Sequence, residues 1–145
     1  TRIVAPFDHP LVTDRMGPSQ TLDIGDIRIA AVRSYNISRQ FHPRANNWVG
    51  YIVTMANKRI YHPGDTDRIP EMKGLAPDVA FLPVGGTYTM DADEAIQAAL
   101  DIGPRCIIPI HYGDIVGSRH DAEIVQAGSQ APVEILEPGG TLTVE

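Results

Sequence analysis

Three short apolar runs in this chain end in residues that can bind ions or move protons. They read Ile60-Tyr61-His62-Pro63-Gly64-Asp65-Thr66-Asp67, Phe81-Leu82-Pro83-Val84-Gly85-Gly86-Thr87 and Ile108-Pro109-Ile110-His111-Tyr112-Gly113-Asp114. If each run is a strand, its polar tail falls at the carboxyl end, where layered α/β proteins gather their ligands. A carboxylate at one such end and an imidazole at another suit zinc, iron or manganese, and the glycines permit tight backbone around them. Residue chemistry leaves two readings for each position. Asp65 after Gly64 also suits a turn aspartate bonding its own backbone. His111, closing an apolar strand, also suits a histidine satisfied at the rim of a core.

The elements that must position these tails can be read along the chain. Residues 2–5, 21–24 and 26–32 read as strands, the last two parted by Gly25, with a turn at Gly17-Pro18-Ser19. Residues 49–55 and 59–61 predict a hairpin across Ala56-Asn57-Lys58. After Gly64 strand-like and helix-like runs alternate: strand at 78–83, helix at 92–102, strand at 105–110, helix at 121–127, and strands at 133–136 and 141–144. That alternation predicts α/β layering in one domain spanning residues 1–145. The helix at 92–102 carries the clearest signals. Asp91 can cap it with Glu94 three residues on, Gly103-Pro104 stops it, and Ala95, Ile96, Ala99, Leu100 and Ile102 offer an apolar face.

Composition narrows the class of function. The chain has 145 residues, 43% hydrophobic and 21% charged, enough for one domain with a core. Eighteen carboxylates against 12 Lys and Arg give a formal charge of -6, and no basic run could neutralise a phosphate backbone. Nucleic acid is therefore not an expected partner. No apolar stretch approaches the ~20 residues that span a bilayer, and the first residues lack the pattern of a signal peptide. A soluble cytoplasmic protein without a membrane partner is expected. Cys106, the single cysteine, lies in an apolar run and is expected to pack rather than react.

Taken together, Tyr61-His62-Pro63-Gly64-Asp65-Thr66-Asp67, residues 78–90 (DVAFLPVGGTYTM), Glu94-Ala95 and Ile108-Pro109-Ile110-His111-Tyr112-Gly113 resemble the second half of metallo-β-lactamase-fold hydrolases. The branch is the one that includes the L-ascorbate-6-phosphate lactonases. The similarity runs over residues 1–142, and the order and spacing of its segments make it specific. It implies an α/β fold, the carboxyl-terminal portion of the αβ/βα sandwich. It further implies that Asp65 is the carboxylate bridging two metals and His111 the last histidine ligand. Ala31-Val32-Arg33-Ser34-Tyr35-Asn36 occupies the place where many members have a strand ending in a histidine ligand. Here that end is Tyr35-Asn36, and an amide is a poor ligand for a transition metal. His42, in Phe41-His42-Pro43-Arg44, lies close enough to substitute, the other reading being a loop histidine that contacts substrate or nothing. His9, His62 and His120 match no ligand position and read as surface or turn residues.

The family signature, His-x-His-x-Asp-His near the amino terminus, has no counterpart in the sequence. The resemblance therefore implies that the opening strands, the motif and the helix after it are missing. The activity it implies is hydrolysis of a small ester, lactone or phosphate-bearing metabolite by two divalent ions, zinc or manganese. Tyr88, Thr89 and Tyr112 are candidates for contact with that small-molecule substrate, or else packing residues. Two retained ligands are not expected to replace the fuller shell of such a centre, so the isolated chain is expected not to assemble it and to be inactive. A non-catalytic remnant or binding module, a half of a split enzyme completed by another chain, and a truncated longer protein all fit the same sequence. Loss of the opening strands is expected to leave an unpaired edge and an apolar face, to be covered by a second copy in a homodimer or by a complementing amino-terminal half.

Overall fold

The computed structural model describes residues 1–144. A short parallel ribbon of β1 (Val4–Ala5) and β2 (Asp14–Arg15) precedes a six-stranded sheet. The sheet runs in sequence order: β3 (Thr21–Ile24), β4 (Ile27–Arg33), β5 (Val49–Met55), β6 (Lys58–His62), β7 (Val79–Pro83) and β8 (Cys106–Ile110). Its first four strands pair antiparallel, whereas β6 with β7 and β7 with β8 pair parallel. Helix α1 (Ala92–Ile102) makes the crossover from β7 to β8, and α2 (Arg119–Gly128) follows β8. Mixed pairing of this kind is the α/β architecture expected from the change of texture after Gly64.

Local chemistry accounts for most boundaries. Ala56 and Asn57 both adopt positive φ, 49° and 61°, and Met55 pairs directly with Lys58. Two left-handed residues make the tight turn whose twist matches antiparallel strands, so the connection is one residue shorter than the sequence predicts. In α1 the Asp91 carboxylate accepts a 2.8 Å bond from the Glu94 amide, as an N-cap should. The reciprocal half of that capping box does not form, because the Glu94 carboxylate instead accepts from the Arg68 amide. A complete box occurs at α2, between Ser118 and Asp121. The buried face of α1 is Ala92, Ala95, Ala98, Ala99 and Ile102, and Leu100, expected on that face, points to solvent. The strands expected at 133–136 and 141–144 do not form. Val133 makes a single bridge to Ile107, and Pro138-Gly139-Gly140 then turns the chain away.

The sheet has two unlike faces. Ala30, Ile52, Tyr61, Ala80 and Ile107 are cross-strand partners in one row, and all belong to the core cluster shared with α1 and Val125 of α2. The next row, Ala31, Tyr51, His62, Phe81 and Ile108, faces the other way, as strand alternation requires. Near β4 and β5 that second face is covered by Met16, Val4 and Leu22. Farther along it, Ile60 and Phe81 are half-buried and His62 is exposed. The β8 edge is not bare, since the Ile107 amide donates to Pro132 and its carbonyl accepts from Glu134, both at 2.9 Å. Among the described residues no helix is long and apolar enough to cross a membrane.

Candidate metal centre

The segment after β6 is fixed by a close backbone approach. A Cβ on Gly50 would stand 2.3 Å from the Pro63 carbonyl oxygen, so only glycine lets Pro63-Gly64-Asp65 lie against β5. The extension of β4 then closes over it. Ser34 donates its hydroxyl to the Asp65 carbonyl at 2.9 Å, the Tyr35 amide donates to Thr66 Oγ1 at 3.1 Å, and the Asp67 amide donates to the Tyr35 carbonyl at 3.0 Å. Thus the stretch ending in Tyr35-Asn36 lies alongside Asp65.

Asp65 stands between two imidazoles. His42 Nε2 lies 3.5 Å from Asp65 Oδ2, and His111 Nε2 lies 3.6 Å from Asp65 Oδ1. Both gaps exceed a good charged hydrogen bond of about 2.8 Å. They are close to the ~3.4 Å edge between two ligands about 2.1 Å from one tetrahedral ion. Imidazole and carboxylate are donor types that suit a divalent ion, and one oxygen of the carboxylate is turned to each imidazole. Exposure grades across the group: the side chains of His42, His111 and Asp65 are 17%, 30% and 47% accessible. Among the described residues no three or more His, Cys, Asp or Glu side chains stand close enough together to hold a metal ion. Each half of the arrangement needs further ligands.

His111 is held at an uncommon backbone conformation, φ 61°, immediately after β8. Non-glycine residues there are rare, and such strain collects at functional sites. Its carbonyl oxygen occupies the space that a Cβ on Gly85 would need, 2.3 Å away. The glycine after β7 thus lets the end of β8 come close. Beside His111 a cleft of about 190 Å³ is lined by Tyr112, Asp114, Ile115 and Val116.

His42 is placed by residues that no ligand motif marks. Asn36 is buried, and its Nδ2 donates to Asp67 Oδ1 at 2.8 Å and to the Tyr88 carbonyl at 3.0 Å. Its Oδ1 accepts the His42 amide at 2.9 Å and lies 3.0 Å from His42 Nδ1. The Asn36 amide in turn donates to the His42 carbonyl, closing the loop. Asp67, 1% exposed, holds the interior of that loop through the Ile37 amide at 2.8 Å and Arg39 at 2.6 Å. Arg39 also pairs with Glu94 at 3.3 Å. Sequence reading passed over Asn36 as a poor ligand and gave Asp67 no role. A Gly-Asp-Thr-Asp tail with two carboxylates was the available signal.

The remaining candidates are scattered. Tyr88 packs edge-on against exposed Phe41, ring centres 4.8 Å apart, and Tyr112 is half-buried beside the core. Thr89 is fully buried with its hydroxyl turned toward the Met90 carbonyl, so it faces the core rather than a cleft. His62 stacks on Phe81 and accepts from the Gly64 amide, and although its edge is open to solvent, the protein packed against the ring desolvates it enough to lower its pKa against the opposing pull of Asp65. His9 accepts the Leu11 amide in a turn, and His120 is exposed on α2 near Glu123.

Comparison with known proteins identifies the family. Residues 8–111 match the family model described as a beta-lactamase superfamily domain. A UPF0173 metal-dependent hydrolase of Thermoplasma acidophilum is 36% identical over 116 residues, covering 77% of this chain and 51% of the relative. The fold superposes on a Parabacteroides distasonis protein named for metal-dependent hydrolysis, with TM-score 0.77, 32% identity, and coverage of 94% of this chain and 66% of the other. A metallo-beta-lactamase fold protein of Bacillus subtilis shares the fold at TM-score 0.67 with 12% identity, covering 88% and 52%. The chain spans about half the length of the curated relatives it matches. With its matched segment ending on His111 itself, the chain belongs to the metallo-β-lactamase superfamily.

Proposed function

We propose that Asp65, His42 and His111 hold divalent ions, zinc or manganese, and that the chain supplies this part of a metal-dependent hydrolase. One observation carries the reading: Asp65 has an imidazole Nε2 against each of its carboxylate oxygens, at 3.5 and 3.6 Å. When bound, such ions lower the pKa of a bridging water and polarise the scissile group. The metal-dependent hydrolase name of the relatives supports the same class. The substrate is a small ester, lactone or phosphate-bearing metabolite, in line with the resemblance to the branch that includes the ascorbate-6-phosphate lactonases. Tyr88, whose carbonyl accepts from Asn36, and Tyr112, in the cleft next to His111, are the residues proposed to contact it, and buried Thr89 is not. Each half of the site needs more ligands, so the chain alone is inactive and gains them from another segment or subunit.

Zinc and manganese titrations of the wild type and Asp65→Asn test the reading. Weakening of at least about tenfold in the variant is expected, because the bridging carboxylate is lost. Equal affinity would sink the metal site and leave the second reading, a non-catalytic binding module. Metal-dependent lactone or phosphodiester turnover by the isolated chain, abolished by His111→Ala, would overturn its inactivity.

A further inference from the structure

Asn36 stands where a ligand would be useful, yet every one of its polar atoms is committed elsewhere. Its Nδ2 faces two groups that only accept, the Asp67 carboxylate at 2.8 Å and the Tyr88 carbonyl at 3.0 Å. Turning the amide over would set its oxygen against both, so these contacts fix which end is which. Oδ1 must then face His42, where it already accepts the backbone amide at 2.9 Å. Since Oδ1 can only accept, the ring nitrogen 3.0 Å from it, Nδ1, must carry a proton. In a neutral imidazole the other nitrogen is then a bare lone pair. That nitrogen, Nε2, faces Asp65 Oδ2 at 3.5 Å.

We propose that Asn36 is a positioning residue which, oriented by Asp67, locks His42 in the Nδ1–H tautomer so that its Nε2 lone pair and the Asp65 carboxylate converge on one divalent ion. Two electron-rich groups facing each other without hydrogen repel, so the arrangement is useful when a cation lies between them. The relay runs over two contacts, Asp67 to Asn36 and Asn36 to His42, and both are sheltered. Asp67 is 1% and Asn36 6% exposed. Trp48 meets the His42 ring edge-on at 5.7 Å and limits its rotation. Metal-bound histidines generally need such a partner on the second nitrogen, and its loss weakens metal affinity by roughly 10- to 100-fold. Here an amide supplies the acceptor, held in its working orientation by a buried carboxylate.

The proposal rests on the metal-site reading, and the test separates the two. Long-range proton–nitrogen NMR of the metal-free chain at about pH 9, above the ordinary imidazole range, reads the His42 tautomer directly. The Nδ1–H form is expected in the wild type and a shift toward Nε2–H in Asn36→Ala, with zinc binding weaker by roughly tenfold or more. A wild-type His42 that is mainly Nε2–H would overturn the lock, and this holds even if the variant fails to fold. A released tautomer with unchanged zinc affinity would overturn the positioning role. A locked tautomer in a wild type that binds zinc no better than Asp65→Asn would overturn the metal reading, and the positioning role with it.

Discussion

Gly85 and His111 approach so closely that a Cβ on the glycine would stand 2.3 Å from the histidine carbonyl oxygen. Val116, 2.8 Å from the same point, blocks the other direction. The contact joins the end of β7 to the residue that faces Asp65. Gly85→Ala must therefore push His111 away from its φ of 61° or move the Val116 loop. We expect a stability loss of about 1–3 kcal/mol, together with weaker zinc binding. Urea unfolding and a zinc titration would check this, and a variant matching the wild type in both would show that the approach is looser than described.

Asp67 has no solvent to fall back on. Removing its carboxylate in Asp67→Ala strands the Ile37 amide, takes one of the two acceptors from Asn36 Nδ2, and leaves Arg39 with Glu94 and the Gly86 carbonyl. Breaking a buried ion pair from one side costs about 3–5 kcal/mol, and the surviving Glu94 contact sets the expectation at the lower end. Hydrogen exchange at Ile37 should accelerate with the loss of stability. Unchanged protection there would mean that the loop closes without Asp67.

Two carboxylates tie stability to acid. Hydrogen bonds from Arg2 and Thr13 lower Asp14 to about 2. For Glu71, burial opposes ionisation, but hydrogen bonds from its backbone, Tyr35 and Arg44 outweigh it and hold the pKa below the ordinary value. A depressed folded-state pKa stabilises above the unfolded value, near 4, and that stabilisation is lost as pH falls toward the folded value. The melting temperature should thus fall as pH drops from about 5 toward 2, and Asp14→Asn and Glu71→Gln should each flatten that slope. A double variant with the wild-type slope would rule these groups out.

The second face of the sheet leads to a prediction about assembly. Ile60 and Phe81 are half-buried on a surface that Met16, Val4 and Leu22 cover only near β4 and β5. A second copy of the chain is expected to cover the rest, in a twofold dimer burying more than ~1,000 Å². Light scattering after size exclusion should give twice the chain mass, and Phe81→Glu should dissociate it. A stable wild-type monomer at high micromolar concentration would rule the dimer out and favour a complementing segment instead.

The sequence alone determined the elements whose causes are local. The hairpin follows from two strand-like runs parted by a short turn with Asn57, a residue tolerant of positive φ, and α1 follows from Asp91 at its cap and an apolar period behind it. The ends of β6 and β8 were legible the same way, which put Asp65 and His111 just beyond the carboxyl ends of two strands. Local signals misled where a competing partner lay far away in sequence. Glu94 abandons its box for Arg68 and Arg39, and the run from Val133 makes one bridge before Pro138. Only the tertiary structure decided where the His42 ring stands. Its orientation depends on Asn36, six residues back, and Asn36 depends on Asp67, thirty-one residues on, with Tyr88 closing the set from another loop. Periodicity and capping are written over a few residues and survive in any fold that forms the element. A hydrogen-bond relay through three loops exists only once the sheet has brought those loops to one end, so no window of sequence contains it.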